Sequence, residues 1–255
     1  MCLIAIAWRA HPRYSLVLAA NRDEFHDRPS APLAEWPDAP GLFGGRDLRA
    51  GGSWLALSAH GRLAAVTNVR EAALGTGLRS RGALITQYLR SEATSPEAAE
   101  GLMSEAPRFG AFNLLMFDGQ ALSYASNRPQ PYWQPVTPGV HGLSNAALDT
   151  PWPKTRRLQT AMAAFADTGS DDIETLFAAL ADTQTPPDES LPDTGVGLAR
   201  ERLLSPPFIQ GPAYGTRASA VIRIATNGDW QFEERRFGPD GAPAGSVRLD
   251  GRGPV

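Results

Sequence analysis

The stretch that most constrains the fold is the N-terminal segment, in which two short apolar runs flank a turn. Residues 3–8 and 14–20 are largely apolar, and a His-Pro pair lies between them. Apolar runs of this length with a turn signal between them are typical of a β-hairpin. A hairpin brings the start of its first strand beside the end of its second. Cys2 is therefore predicted to lie close to Asn21 and Asp23.

Cys2 has the chemistry of a catalytic nucleophile if Met1 is removed, which is sterically easy when the second residue is small. The free α-amine would titrate near ~8, so it could accept the thiol proton and return it to a leaving group. The thiol and its general base would then belong to one residue. Asp23 would hold the ammonium in position, and Asn21 could donate its side-chain amide. The alternative is that Cys2 is a small buried hydrophobic residue following the initiator.

Composition favours an ordinary soluble globular protein and excludes several classes. The chain has 255 residues with no repeat and no central linker, so a single domain over residues 1–255 is predicted. Residues 238–255 are predicted to form a loose C-terminal tail. The net charge of −3, without a basic cluster, argues against a nucleic-acid partner. No stretch approaches the ~20 apolar residues of a spanning helix, so no integral membrane span is expected.

The single cysteine and the four histidines bear on location and on metals. One cysteine excludes an internal disulfide and any multi-cysteine metal site. The opening residues lack the basic region and the longer apolar run of a signal peptide, so a cytoplasmic, reducing location is expected. No histidine shows metal-ligand spacing with another histidine or with Cys2. Neither a metal nor a cofactor is therefore predicted.

Segments with strand and helix patterns alternate in blocks along the chain. The clearest strand signal is the closing hairpin, residues 220–225 and 230–235, which flank an Asn-Gly turn. Helical pairs are predicted within residues 80–103 and 150–180. Residues 26–40 are rich in proline and are predicted to be a loop. The order of these segments predicts an α+β fold with mainly antiparallel strands.

The segment Asn21-Arg22-Asp23-Glu24-Phe25, directly after a hairpin that opens with cysteine, resembles the NRDE family, also called the transport and Golgi organisation family. Other matching segments follow in family order: Gly44-Gly45-Arg46-Asp47, Gly51-Gly52-Ser53-Trp54-Leu55, Val66-Thr67-Asn68-Val69-Arg70, Leu143-Ser144-Asn145, Leu148 to Lys154, and Tyr214-Gly215-Thr216-Arg217. The layout is also similar to N-terminal-nucleophile cysteine hydrolases such as penicillin V acylases and bile salt hydrolases. That resemblance implies a four-layer αββα sandwich, with two stacked antiparallel sheets covered outside by helices.

The hydrolase resemblance also implies roles for residues far from Cys2 in sequence. An asparagine in those enzymes contributes to the oxyanion hole, and this role falls on Asn145 and also on Asn68. Arg217 matches an arginine near the nucleophile, where it would keep the thiol ionised or bind Asp23. The alternatives are asparagines that bond their own turns and an arginine in a surface ion pair.

Four residues are predicted to contact a substrate: Asn21, Arg22, Asn68 and Trp54. One departure from the bile salt hydrolases is Ala20, which stands where they have an arginine immediately before Asn-x-Asp. Arg22 follows Asn21 instead, and adjacent side chains on a strand face opposite ways. Arg22 is therefore not expected to replace the missing guanidinium, which puts hydrolytic activity in question.

Two functions remain in competition at the level of sequence. The first is a cofactor-free N-terminal cysteine hydrolase that cleaves a linear amide bond in a small acylated molecule. The second is a non-catalytic carrier or trafficking protein that binds a hydrophobic ligand, such as an acyl group, a lipid or haem, in the same pocket. A retained Met1 would block the α-amine and argue against the hydrolase. The sequence predicts neither the substrate nor the oligomeric state.

Overall fold

The predicted N-terminal hairpin is present in the computed structural model, which describes residues 2–72 and 79–253. The strands, numbered along the chain, are β1 (Cys2–Trp8), β2 (Tyr14–Phe25), β3 (Ser30–Trp36), β4 (Ala39–Asp47), β5 (Leu55–Ser58), β6 (Leu63–Asn68), β7 (Phe112–Phe117), β8 (Leu122–Ser126), β9 (Tyr132–Pro135), β10 (Gly139–Leu143), β11 (Tyr214–Ala225), β12 (Trp230–Phe237) and β13 (Pro243–Gly251). The helices are α1 (Gly82–Arg90), α2 (Ser95–Leu102), α3 (Pro153–Thr168), α4 (Glu174–Leu180) and α5 (Leu198–Leu203). Among these described residues, no helix combines the length and the apolar character needed to cross a bilayer.

Two antiparallel sheets are stacked face to face. The first has the strand order β10-β1-β2-β11-β12-β13, and the second has the order β3-β4-β5-β6-β7-β8-β9. Aliphatic and aromatic side chains from both sheets fill the space between them, including those of Ile4, Leu18, Leu57, Phe117 and Ile222. This inter-sheet core anchors the first hairpin, whose polar end carries Cys2 and Asp23.

Alternation along the strands explains why each sheet also carries a helix layer. In β1, Ile4 and Ile6 face the inter-sheet core, whereas Leu3 and Ala5 face the opposite side, where α3 and α4 pack. The second sheet is covered on its outer face by α1 and α2 in the same way. The structure is thus a four-layer αββα sandwich of the α+β class, and the predicted fold is confirmed.

The prediction that residues 26–40 form a loop is wrong. Ser30–Trp36 forms β3, and β4 begins at Ala39. β3 is an edge strand, where a proline needs no partner for its missing N–H, and its pairing with β4 shifts register between Ala31 and Ala34, the interval that contains Pro32. The prolines therefore concealed an edge strand rather than marking a loop.

The prediction that residues 238–255 form a loose tail is also wrong. Pro243–Gly251 forms β13, which pairs with β12 at the edge of the first sheet. Val247 and Leu249 pack against the inter-sheet core, whereas Arg248 and Asp250 are exposed. Only one face of this strand is apolar, so its mean composition resembles that of a tail.

If β13 is a packed strand, Leu249→Ala should lower the free energy of unfolding by about 1–2 kcal/mol, because it removes a partly buried side chain from the core. Arg248→Ala, on the exposed face of the same strand, should change it by no more than about 0.5 kcal/mol. Urea denaturation of both variants measures the difference. Equally small effects of the two substitutions would contradict the packing of β13.

Candidate functional site

A cavity of about 390 Å³ opens beside Cys2, the first residue of β1. The hairpin contributes residues 22–24, and the second sheet contributes residues 52–54 ahead of β5. Residues 79–82, at the start of α1, form a further part of the wall. Of the residues predicted for the site, those that line this cavity are Cys2, Arg22, Asp23, Trp54 and Asn68.

Cys2 is buried in the cavity wall and is fixed by backbone contacts on both sides. β1 pairs with β2 so that Cys2 lies opposite Arg22. On its other side, the Ser144 hydroxyl donates a hydrogen bond to the Cys2 carbonyl at 3.2 Å. Burial raises the pKa of the Cys2 thiol because the thiolate would be poorly solvated; Asp23 adds to this increase and Arg22 opposes it. The thiol therefore needs a base close by to become a thiolate near neutral pH.

Asp23 is 1% exposed and is held where β2 pairs with β11. The Thr216 hydroxyl donates to its carboxylate at 2.8 Å, and the backbone N–H of Ile209 donates to the same hydroxyl oxygen at 2.9 Å. Burial raises the pKa of Asp23, and Lys154 is the charged side chain that most opposes this rise. The orientation of the carboxylate is thus set by the sheet, and its ionisation depends on a lysine from another layer.

Lys154 is a buried charged residue near the candidate site that the sequence analysis did not single out. It lies in the first turn of α3, is 2% exposed, and donates from Nζ to the Leu204 carbonyl at 2.9 Å. Burial lowers the pKa of Lys154 to about 8, and Asp23 is the strongest opposing influence. Both burial and the helix dipole disfavour a cation at this position, so Asp23 is the feature that accounts for it. The sequence feature that could have identified Lys154 is its place at the end of the family segment Leu148 to Lys154.

A buried ion pair lies near Asp23 and Lys154, close enough to influence the pKa values of both. Arg70 follows β6 and Glu201 lies in α5, and their side chains pair while each is 3% exposed. The Arg70 guanidinium carbon also lies 4.7 Å from the centroid of the Trp152 ring. The backbone N–H of Thr194 donates to Glu201 at 2.9 Å. We call the following four residues the buried charge cluster: Asp23, Lys154, Arg70 and Glu201.

Asn68 and Asn145 are neighbours with different surroundings. Leu143 pairs with Ile4, so the chain two residues further on brings Asn145 level with Cys2. The Asn145 side chain is buried and donates to the Asn68 carbonyl at 2.8 Å. Asn68 itself lines the cavity, and its side chain has no hydrogen bond to another described residue. Asn68 therefore lines the cavity without a side-chain partner among the described residues, while Asn145 holds the Asn68 backbone.

Arg22 lines the cavity, in agreement with its predicted place near a substrate. Residues 20 and 22 are two apart, and strand side chains two apart lie on the same face. Ala20 packs in the inter-sheet core on this face, and Arg22 continues it into the cavity. Its guanidinium therefore extends on the side of β2 where Ala20 has only a methyl group.

Asn21 lies outside the cavity, contrary to its predicted role as a substrate contact. Its side chain points to the opposite face of β2, as alternation requires. Its amide donates to the carbonyls of Leu180 at 2.8 Å and Pro207 at 2.9 Å, and its oxygen accepts from the Ser219 hydroxyl at 2.6 Å. The structure thus gives Asn21 the role of joining the first sheet to the segments after α4 and α5.

Arg217 also lies outside the cavity, although it was expected to keep the thiol ionised or to bind Asp23. The β2–β11 register shifts between Thr216 and Ala218, which places Arg217 at an irregularity of the strand. Its guanidinium donates to the carbonyls of Phe25 at 2.8 Å and of His26 and Arg28 at 3.2 Å. Arg217 therefore secures the chain that leaves β2 and does not lie against Cys2.

A cysteine at the head of a buried hairpin, with a carboxylate beside it in an αββα sandwich, is the arrangement of the N-terminal-nucleophile hydrolase fold. Solved structures agree. A conjugated bile acid hydrolase from Clostridium perfringens, in a C2A mutant form, superposes with a TM-score of 0.52 at 9% identity, over 98% of this chain and 92% of the other. A Caenorhabditis elegans ortholog of N-acylethanolamine-hydrolyzing acid amidase gives a TM-score of 0.50 at 9% identity, over 86% and 92%. At this identity the likeness establishes the fold.

Sequence comparison then assigns the family. The sequence profile of Transport and Golgi organisation 2 matches residues 1–239. The human Transport and Golgi organization protein 2 homolog is 32% identical over 92% of each chain, and the Drosophila melanogaster Transport and Golgi organization protein 2 is 28% identical over 94% of each. The chain therefore belongs to the Transport and Golgi organisation 2 family, and the predicted family membership is confirmed.

The coupling between Asp23 and Lys154 can be measured in a double-mutant cycle. Asp23→Asn leaves Lys154 without its main opposing charge, and Lys154→Met does the same to Asp23, so each should destabilise the fold. The double variant removes both charges and should recover part of that loss. The expected coupling free energy is about 1–3 kcal/mol from denaturant unfolding at pH 7. Additive effects of the two substitutions would contradict the electrostatic coupling of Asp23 and Lys154.

Proposed function

We propose that this protein is a cofactor-free N-terminal cysteine hydrolase that cleaves an amide bond in a small acylated molecule after Met1 is removed. The observation that carries this proposal is the position of Cys2 in the cavity wall, with the buried Asp23 carboxylate beside the same strand end. A cysteine that served only as a small core residue would need neither a polar cavity nor a buried carboxylate. A cytoplasmic, reducing location would keep the thiol available.

The α-amine of Cys2 supplies the base in this proposal. An α-amine titrates near ~8, close to the pH at which it must take and return a proton. It accepts the thiol proton as sulfur attacks the scissile carbonyl, and the resulting ammonium is held by Asp23. Because burial raises the pKa of the Cys2 thiol, transfer to an adjacent base is a more effective route to the thiolate than free ionisation.

Asn68 is the proposed donor to the tetrahedral oxyanion. Its amide lines the cavity that contains Cys2, and Asn145 fixes its backbone through the 2.8 Å hydrogen bond to the Asn68 carbonyl. A donor fixed before the reaction stabilises charge that develops only in the transition state. Asn145, for which the same role was predicted, acts in this proposal through its hold on Asn68.

The reaction then proceeds in two halves. Collapse of the tetrahedral intermediate breaks the carbon–nitrogen bond, and the ammonium of Cys2 protonates the leaving amine. The acyl group remains on sulfur as a thioester. A water molecule, deprotonated by the free α-amine, attacks the thioester carbonyl and releases the carboxylic acid and the thiol.

The alternative is a carrier that binds a hydrophobic ligand in the same cavity. The names of the relatives, which refer to transport and Golgi organisation, favour it. The cavity wall does not, because many of the described lining residues are charged and its apolar side chains are few. An acyl, lipid or haem carrier would be expected to have a predominantly apolar pocket.

Hydrolysis should depend on both Cys2 and Asn68. Cys2→Ser should lower turnover by orders of magnitude, because an alcohol is a far weaker nucleophile than a thiol. Asn68→Ala should lower kcat by roughly 10²–10³-fold with little change in substrate affinity, since an oxyanion donor acts in the transition state. Release of the amine from a panel of N-acyl amides, measured with protein that lacks Met1, provides both values.

Asn227→Ala, in the turn between β11 and β12, is the matched control and should leave turnover unchanged. Tight binding of an acyl or haem ligand by processed protein, without any amide cleavage that requires Cys2, would favour the carrier and overturn the hydrolase.

A further inference from the structure

The described lining of the Cys2 cavity carries an excess of positive charge. Its arginines are Arg22, Arg28, Arg49, Arg79 and Arg81, and its acidic residues are Asp23, Glu24 and Asp47. The chain as a whole has a net charge of −3, so the charge of the cavity lining is opposite in sign to that of the whole chain. A cleft lined by one sign of charge raises the local concentration of oppositely charged ligands.

Two of these arginines are already engaged by carboxylates. Arg28 donates to Asp47 at 2.7 Å and lies 3.8 Å from Glu24. Arg79 pairs with Glu105 at 3.3 Å, on the exposed side. These contacts shape the wall of the cavity. The excess charge therefore resides on the other arginines.

Arg22 is the buried member of that remaining group. It is 8% exposed, and its guanidinium makes no hydrogen bond to a described residue, with Glu24 3.9 Å away as its ion-pair partner. An arginine has five N–H donors, so those of Arg22 are left to water or to a ligand in the cavity. Since Arg22 lies opposite Cys2 in the β1–β2 register, these donors are available within a side-chain length of the nucleophile.

Arg81 lines another part of the cavity wall, at the start of α1. One of its nitrogens donates to the Ala111 carbonyl at 3.1 Å, and it forms no ion pair with a described acidic residue. The nine-residue helix α1 has no acidic side chain in its first turn, so the positive end of its dipole adds to the charge of Arg81. The backbones of Gly52 and Gly82 also approach so closely here that a Cβ on Gly52 would lie 2.5 Å from the Gly82 carbonyl carbon.

We propose that the substrate carries an anionic group, which Arg22 and Arg81 bind from two sides, close to the bond that Cys2 attacks. This inference rests on the proposed function for the identity of that bond. Both arginines line the cavity that holds Cys2, and a guanidinium fork matches the oxygens of a carboxylate or a phosphate. The class of substrate is therefore an N-acyl amino acid or a related amide with an acidic group a few bonds from the scissile carbonyl.

The test is a binding comparison in the full-length Cys2→Ala variant, which cannot turn over. N-octanoylglycine and N-octanoylethanolamine share their acyl chain and amide. The first carries a carboxylate where the second carries a neutral hydroxyl group. N-octanoyl-phosphoethanolamine, as a third probe, distinguishes phosphate from carboxylate recognition. Isothermal titration should show the anionic probes binding roughly 10–100-fold more tightly than the neutral one, as expected for charge-assisted hydrogen bonds.

Arg22→Gln and Arg81→Gln, each added to Cys2→Ala, should weaken the anionic probes by about tenfold or more and leave the neutral probe unchanged. Arg248→Gln removes the same charge on the exposed face of β13 and should alter none of the three affinities. Melting temperatures show whether each variant is folded. A neutral probe that binds as tightly as the anionic ones, or an anion preference that survives both cavity substitutions, would overturn the inference.

The outcome is independent of catalysis. If the anion preference depends on Arg22 and Arg81 but processed wild-type protein cleaves none of the probes, this inference stands and the hydrolase proposal fails. If the wild type cleaves the neutral probe as readily as N-octanoylglycine, the hydrolase proposal stands and this inference fails.

Discussion

A carboxylate buried beside the candidate nucleophile is the constraint on which the rest of this structure depends. Desolvation favours the neutral form of Asp23, so nearby cations are required to keep it ionised. Lys154 comes from α3 and Arg70 follows β6, which means that the outer helix layer and the second sheet must both dock against the first sheet. α5 then supplies Glu201 as the partner of Arg70. The buried charge cluster thus joins several layers of the sandwich at one point, and the same docking that completes the fold completes the site.

The cavity above this cluster has a different electrostatic character. The cluster contains two cations and two carboxylates, whereas the guanidinium groups of Arg22 and Arg81 in the described cavity wall make no hydrogen bond to a described carboxylate. Buried charges that are mutually compensated serve the protein itself, while uncompensated donors that face a cavity serve a ligand. This contrast favours a polar, anionic substrate over the hydrophobic cargo of a carrier. It also explains how a methyl group at Ala20 is compatible with a charged site, since Arg22 extends from the same strand face.

Whether a part of the fold or of the site could be predicted from the sequence depended on how far apart in the sequence the interacting residues lie. Cys2 and Asp23 meet through a local hairpin, so apolar patterning and one turn signal were sufficient. Asn21 was misjudged because the side-chain alternation of β2, which turns Asn21 away from the cavity, was not carried through. Lys154 was missed, as its meeting with Asp23 requires α3 to pack on β1 and β2, which no periodicity encodes.

The strands β3 and β13 were not predicted for a different reason: edge strands tolerate prolines and polar residues that mark loops elsewhere. Arg217 could not be placed without the irregular register of β11.

The account stands on the claim that Cys2 provides both the nucleophile and, through its own amine, the base. The most direct measurement is intact-mass spectrometry of the protein from its native host, before and after brief exposure to an N-acyl amide near neutral pH followed by an acid quench that preserves the thioester. The account predicts a chain that begins at Cys2 and that gains the mass of one acyl group, with no gain in Cys2→Ala. A chain that retains Met1, or a processed chain that acquires no acyl group at Cys2, would contradict it.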